Sequence, residues 1–190
     1  MAAREADAAL LARYAAGDEA AARLLSARLS PRAFAHAARV LGDRAEAEDV
    51  TQEAMLRLWK QAPNWDAGRA QAATWVYRVV ANLCSDRLRM RQTDVLDDVN
   101  TPADPSPSAE DRLQNSARHD ALQAALMRLP DRQRQAVVLR HIEGMANPEI
   151  AEILDVGVEA VESLTARGKR ALSADLAAQR DALGYVDDTA

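Results

Sequence analysis

Apolar residues recur along this chain at spacings of three and four rather than two, a period that predicts helices throughout and strands nowhere. Leu10, Leu11 and Tyr14 open a first helix that Gly17-Asp18 punctuates, and an Ala-rich second run continues through Leu29 until Pro31, where the missing N–H is expected to interrupt it. A third helix is predicted from about Ala45 to Gln61, with Val50, Met55, Leu58 and Trp59 turned to a core. Its first half carries Glu46, Glu48, Asp49 and Glu53, acids that complement the positive end of a helix dipole. Pro63-Asn64 ends it and Asp66-Ala67-Gly68 marks a loop. A fourth helix follows from about Ala72 to Arg91, placing Trp75, Val76, Val79 and Leu83 inward and Arg78, Asn82 and Arg89 outward.

The second half has its own stripes. Leu122, Leu126 and Leu129 form a short one; Pro130-Asp131 then opens a helix whose Val137, Val138, Leu139 and Ile142 face inward, and Glu143-Gly144 closes it. Asn147 ahead of Pro148 reads as an N-cap followed by Pro at the first helical position, starting a helix from Pro148 to Leu154 that buries Ile150, Ala151, Ile153 and Leu154. A turn of Asp155, Val156, Gly157 and Val158 leads to a last helix, about Glu159 to Ala177, anchored by Val161, Leu164, Gly168 and Leu172. Between the halves Asn100 to Pro107 packs three prolines with polar residues and offers too little apolar surface to fold on its own. The expected fold class is therefore all-α: two small helical domains, 5–92 and 116–180, joined by a flexible acidic linker, 93–115, with an acidic tail after Gly184. The two domains share no repeat period.

Charge changes this picture by where it lies. The net charge is -5. Asp94, Asp97, Asp98, Asp104, Glu110 and Asp111 stand against Arg112 alone between Thr93 and Ala117, so this segment carries the whole excess and the rest of the chain is balanced. Within that balanced remainder Arg78 to Gln92 is locally basic, with Arg78, Arg87, Arg89 and Arg91 against Asp86. No stretch approaches the roughly 20 apolar residues a membrane span needs, and the acidic start of the chain does not read as a signal peptide, so a cytoplasmic protein without membrane contact is expected. One cysteine, Cys84, excludes a disulfide framework, and His36, His119 and His141 lack metal-ligand spacing; neither metal nor cofactor is expected. Cys84 reads as a small buried hydrophobe.

The candidate chemistry is recognition rather than catalysis. No serine or cysteine has a general base in reach of the pattern and no glycine-rich phosphate loop exists, so the chain is not expected to be an enzyme. A short helix, a glycine-containing turn and a second amphipathic helix make the pattern of a helix-turn-helix, whose second helix enters a DNA major groove. The groove-facing residues would be Glu159, Ala160, Glu162, Ser163, Ala166, Arg167 and Arg170: the cations suit phosphates or guanine edges, and the two acids either accept from cytosine or serve the helix dipole. In the first domain four of the seven aromatics, Trp59, Trp65, Trp75 and Tyr77, fall beside the Arg78–Arg91 run, a pairing that suits unpaired bases. Trp59 and Trp75 sit at core positions, which leaves loop Trp65 as the aromatic candidate.

Three segments carry a resemblance. AEAEDVTQEAMLRLW (Ala45 to Trp59) and ATWVYRVVANLCSDRLR (Ala73 to Arg89) resemble the first domain of extracytoplasmic-function sigma factors of the sigma-70 family, and LPDRQRQAVVLRHIEGMANPEIAEILDVGVEAVESLTARGKRAL (Leu129 to Leu172) is similar to their helix-turn-helix domain. Both domains occur in the family's order. The resemblance implies an alternative sigma factor that binds core RNA polymerase, directs promoter-specific initiation in a stress response and is controlled by an anti-sigma factor. It implies that Asp49, Gln52, Glu53 and Leu56 grip the β′ clamp helices, with the β flap as a further contact. Trp65, Arg69, Arg78, Asn82, Asp86, Arg87 and Arg89 would read and help melt the -10 element, and the last helix would read the -35 element. The acidic linker would thread toward surfaces that normally hold RNA. Glu159-Ala160-Val161-Glu162 stand where the family often has Gly-Thr-Val-Lys, which bears on the -35 sequence and not on the fold. Near-neutral domains fit a factor that is a monomer when free and binds DNA weakly without polymerase. The rival readings are a free-standing dimeric helix-turn-helix regulator, a helical protein-interaction adaptor and a small metal-free hydrolase.

Overall fold

The computed structural model describes residues 2–66, 71–94 and 110–177, and every regular element among them is helical. In chain order these are α1 (Ala2–Ala15), α2 (Glu19–Leu41), α3 (Arg44–Gln61) with a 3-10 turn at Ala62–Asn64, α4 (Ala72–Asp94), α5 (Glu110–Met127), α6 (Asp131–Val137) running into a π-turn at Val138–Ile142, α7 (Asn147–Leu154) and α8 (Val158–Ala177).

Local chemistry sets the breaks. Asp18 caps α2 by accepting from Ala20 N and Ala21 N, and Arg13 holds the same carboxylate, pulling its pKa down. Gly42, at φ 67°, ends α2 in the left-handed conformation, and Asp43 immediately caps α3 by accepting from Glu46 N at 2.9 Å. Pro31 does not interrupt α2, contrary to the expectation from sequence: the helix runs through it for 23 residues. Proline costs a helix interior about 3 kcal/mol, but Leu25, Leu29, Ala33, His36, Ala37, Val40 and Leu41 lie on one buried stripe that spans it. Burying that stripe, at about 25 cal/mol per Å² of apolar surface, outweighs the loss.

The first core joins α1 to α4 around Leu11, Leu25, Val40, Val50, Leu58, Val80 and Cys84, with many alanines (Ala21, Ala33, Ala37, Ala47, Ala54) letting the helices approach closely. The second half builds one small cluster from Leu126, Leu129, Val137 and Val138 and another from Leu139, Ile150, Ile153, Leu154 and Val161. In α8, Gly168 is fixed by a close approach: a Cβ there would stand 2.5 Å from Val137 Cγ2. The non-glycine left-handed residue Asp155, φ 55°, makes the corner between α7 and α8.

Two further expectations are corrected. Asn147 is already inside α7; its N-cap is Ala146, whose N–H donates to Glu149 Oε2 at 3.1 Å, so the glutamate closes the helix start in place of an asparagine cap. Helix also takes up both ends of the predicted linker, since α4 reaches Asp94 and α5 begins at Glu110. The proline-rich stretch Asn100 to Pro107, the tail after Gly184 and the site candidate Arg69 lie outside the described residues. No helix among the described residues is long and apolar enough to cross a membrane.

Candidate functional site

Three surfaces carry the residues singled out in the sequence. On α3, burial of Ala47, Val50, Thr51, Ala54, Met55 and Leu58 turns the opposite face outward. Asp49, Gln52 and Leu56 are exposed there and Glu53 is half-buried. Leu56 keeps 52 % of its surface in water, an apolar side chain set among the polar residues of this face. Glu53 takes an ion pair from Arg57 at 2.8 Å, one turn on, which holds its carboxyl below the usual range. Beside this face lies a shallow groove of about 340 Å³ formed with α2 at Pro31, Phe34, Arg44 and Gln52, where the Arg44 guanidinium stacks 5.2 Å from the Phe34 ring centre.

On α4 the residues Arg78, Asn82, Asp86 and Arg89 recur every three or four positions and are all exposed, one stripe on one face. Arg89 pairs with Asp86 at 2.6 Å, and Arg87 reaches across to Asp49 of α3 at 3.6 Å, so the two predicted surfaces meet along a charged seam. Trp65 departs from a free stacking platform. Its ring packs edge-on against Trp75, centroids 5.9 Å apart, and its Nε1 is buried. Trp59 and Trp75 pack on the core as expected, Trp59 edge-on to Tyr14 at 4.8 Å. Cys84 is fully buried beneath this helix and burial pushes its thiol up to about 12, which keeps it protonated and inert.

The third surface is α8. Val161 and Gly168 face the core, and Glu159, Ala160, Glu162, Ala166, Arg167 and Arg170 face water, with Ser163 half-buried at the margin. Asn147 Nδ2 comes to 3.5 Å from Glu162, linking the start of α7 to the reading face. Helices α7 and α8 about the Asp155 corner have the form of a helix-turn-helix, and the basic residues of α8 lie two to three turns after its acidic start.

Residues 25–93 match the family model for sigma-70 region 2, and residues 119–172 match the model for sigma-70 region 4. The chain is 31% identical over 149 residues to the ECF RNA polymerase sigma factor SigW of Bacillus subtilis, covering 73% of this chain and 79% of that one. With SigM of Mycobacterium tuberculosis it shares 36% over 171 residues, 88% of this chain and 83% of the relative. The chain belongs to the ECF sigma factors of the sigma-70 family. Among solved structures, CnrH in complex with the cytosolic domain of CnrY superposes with a TM-score of 0.68 at 29% sequence identity, covering 91% of this chain and 98% of CnrH. A sigma factor is a transcription initiation factor that brings RNA polymerase to promoters, and a region 2 in the first half leaves no room for the dimerisation module that a free-standing regulator would carry there.

In this sigma factor the two regions touch, and the sequence did not announce how. Helix α7 lies on α4, where Tyr77 and Ala81 are buried with Leu139, Ile150, Ile153 and Leu154. Tyr77 donates to Glu143 at 3.1 Å, Arg39 of α2 pairs with the same carboxylate at 3.6 Å, and Arg78 reaches Asp155 at 3.5 Å. Burial beside Glu143 raises the Tyr77 hydroxyl far above its ordinary pKa, so it stays a donor. Ser85 donates to Asp131 at 2.9 Å, and Gln135 donates to both. Arg134 and Gln135 are almost fully buried polar residues on a helix read as inward only from Val137 onward. They stand one turn ahead of Val138 and Leu139, on the same buried face, although their polarity reads as solvated.

Proposed function

We propose that this sigma factor binds core RNA polymerase through the outer face of α3, with Asp49, Gln52, Glu53 and Leu56 against the β′ clamp helices and the second domain against the β flap. Arg78, Asn82, Asp86, Arg87 and Arg89 on α4, with Trp65 and Arg69 at the preceding loop, read and help open the -10 element. Glu159, Ala160, Glu162, Ser163, Ala166, Arg167 and Arg170 on α8 read the -35 element as duplex. The observation that carries this reading is the exposure of Leu56 amid acids on α3, beside the cationic stripe of α4. One face suits a protein groove lined with cations, and the other suits phosphates and bases.

The factor supplies contacts and no catalytic step of its own, acts in the cytoplasm and serves a stress regulon. An anti-sigma factor holds it off; the structural neighbour CnrH was captured with a protein partner, the cytosolic domain of CnrY, and the chain here shares that neighbour's overall arrangement. The domain division 5–92, 93–115 and 116–180 is proposed on the same footing, and the acidic linker is assigned to polymerase surfaces that normally hold RNA.

Run-off transcription with purified core polymerase and a genomic promoter library tests the reading. Promoter-specific transcripts are expected with this protein, and at least tenfold fewer with the variant Asp49→Ala, Gln52→Ala, Glu53→Ala. Transcripts unaffected by that variant would remove α3 from the polymerase interface.

A further inference from the structure

Two acids begin the exposed face of α8, and their circumstances differ. Helix α8 starts at Val158, and Glu159 lies in its first turn, where a carboxylate meets the positive end of the helix dipole. Glu162 comes just past that turn, and the pull of the dipole falls off within it. Its own helix offers it no cation either. The residues three and four positions away, the spacing at which helix side chains meet, are Val158, Glu159, Thr165 and Ala166, and Glu159 repels it. Neither the dipole nor a neighbouring charge accounts for an acid at this position.

What constrains Glu162 comes from the other helix of the pair. Asn147, in the first turn of α7, donates from Nδ2 to Glu162 Oε1 in a long hydrogen bond of 3.5 Å. The other end of the same amide, Oδ1, is buried without a hydrogen-bond partner. Turning the amide over would set that oxygen against the carboxylate, so the charge on Glu162 decides which way Asn147 points. The orientation is held although a buried, unpaired oxygen costs stability. Capping does not explain it: the start of α7 is closed by Glu149, which accepts from Ala146 N at 3.1 Å. The Asn147 amide is therefore spent on holding one carboxylate at the face that α8 turns to water.

A carboxylate in a major groove has narrow chemistry, because it carries acceptors only. Phosphates repel it. Guanine presents O6 and N7, both acceptors, and thymine presents O4 beside a methyl group. Adenine sets the acceptor N7 next to its N6 amine, so a single carboxylate there meets one favourable atom and one unfavourable one. Cytosine alone presents an amine, N4, with no acceptor on its own edge. The cations of the same face, Arg167 and Arg170, come more than a turn later, far enough along α8 to meet phosphates or guanine while Glu162 meets another base.

We infer that Asn147 is a positioning residue of the upstream promoter contact: its amide holds the Glu162 carboxylate where it accepts from the N4 amine of one cytosine, so that this pair selects cytosine at one position of the -35 element. This assignment rests on the reading of α8 as the -35 surface given above, and it adds to that surface a residue from α7.

The test is transcription by the holoenzyme, core polymerase with the full chain, from one promoter that the factor serves, its -35 element randomised and the transcribed templates sequenced. Wild type is expected to favour cytosine over thymine or guanine at one position by roughly tenfold, the size of a single base contact. Glu162→Gln should move that preference toward adenine, whose N6 and N7 a carboxamide meets together, and should leave the other positions as they were. Asn147→Ala should weaken the cytosine preference at the same position and add nothing in the Glu162→Gln background, as expected of two residues acting through one contact. If Asn147→Ala instead lowers transcription from all templates alike, with every base preference kept, Asn147 serves the fold and the positioning role is overturned. A wild type that selects no cytosine overturns the assignment, as does a cytosine preference that Glu162→Gln leaves unmoved. Absence of any polymerase-dependent transcript from wild type is a different failure, that of the reading of α8 as a promoter surface, and this assignment falls with it.

Discussion

Helices α3 and α4 pack side by side in one core, and each presents a polar face away from it, yet the two faces differ in what holds them. On α3, Glu53 pairs with Arg57 and Glu48 with Arg44 inside the helix, Asp49 and Glu46 reach no further than Arg87 and Arg91 of the adjoining α4, and Leu56 stands in water. Side chains of α4 reach across the molecule: Arg91 to Glu46 and Leu41 O, Arg78 to Asp155, Tyr77 to Glu143, Ser85 to Asp131. An amphipathic period marks the side that is not core. It does not tell whether that side meets solvent, a partner or the rest of the same chain.

Breaking the covered face should cost most. Tyr77→Ala removes an aromatic ring buried between both regions, and a large-to-small change of that kind costs about 3–5 kcal/mol; urea unfolding should show the loss, and a change below about 1 kcal/mol would mean that the α4–α7 contact is not made in solution. Acid should act next, through His36. This residue is fully buried under Tyr77, ring centroids 5.6 Å apart, with neither ring nitrogen hydrogen-bonded, and burial together with Arg39 lowers its pKa from 6.5 to about 4. Arg32 and Arg39 of α2, Tyr77 of α4 and Glu143 after α6 are the charged and titratable groups around this position. A histidine held neutral contributes stability that is complete above pH 6.5 and is lost as pH falls toward 4, at about 1.4 kcal/mol per unit and about 3 kcal/mol in all. Unfolding measured across that window should show the slope, and His36→Leu should flatten it. The open face sharpens the contrast from the other side: Asp49→Ala, Gln52→Ala and Glu53→Ala together should shift folding stability by no more than about 0.5 kcal/mol, because ion pairs this open to water, Glu53 with Arg57 and Asp49 with Arg87, hold little of the fold. A larger loss would make the outer face of α3 part of what holds the fold and undercut its use as a polymerase contact.

Much of this was legible beforehand. Helix count, the inward residues of α3, α6, α7 and α8, and the form of the helix-turn-helix followed from apolar spacing and from Gly and Pro at helix ends. What failed did so for local reasons. The propensity of Pro31 points to a break, but a buried stripe on both sides of it overrides that propensity. Asn147 ahead of proline has the pattern of a cap, whereas Glu149 satisfies Ala146 N and starts the helix one residue earlier. Trp65 lay in a loop by pattern, and its packing on Trp75 depended on a tertiary contact that no local window contains. The contact between the regions was the least visible. Gln123, Arg134 and Ser85 are polar, and polar residues on a helix read as solvated until their partners are known; buried arginine is rare enough that sequence alone argues against it.

Gly42 ends one helix and seats a neighbouring region with the same atoms. A side chain at that position would strain the left-handed backbone and push the end of the Met127 side chain aside, so the residue that stops α2 also sets how closely the two halves lie there.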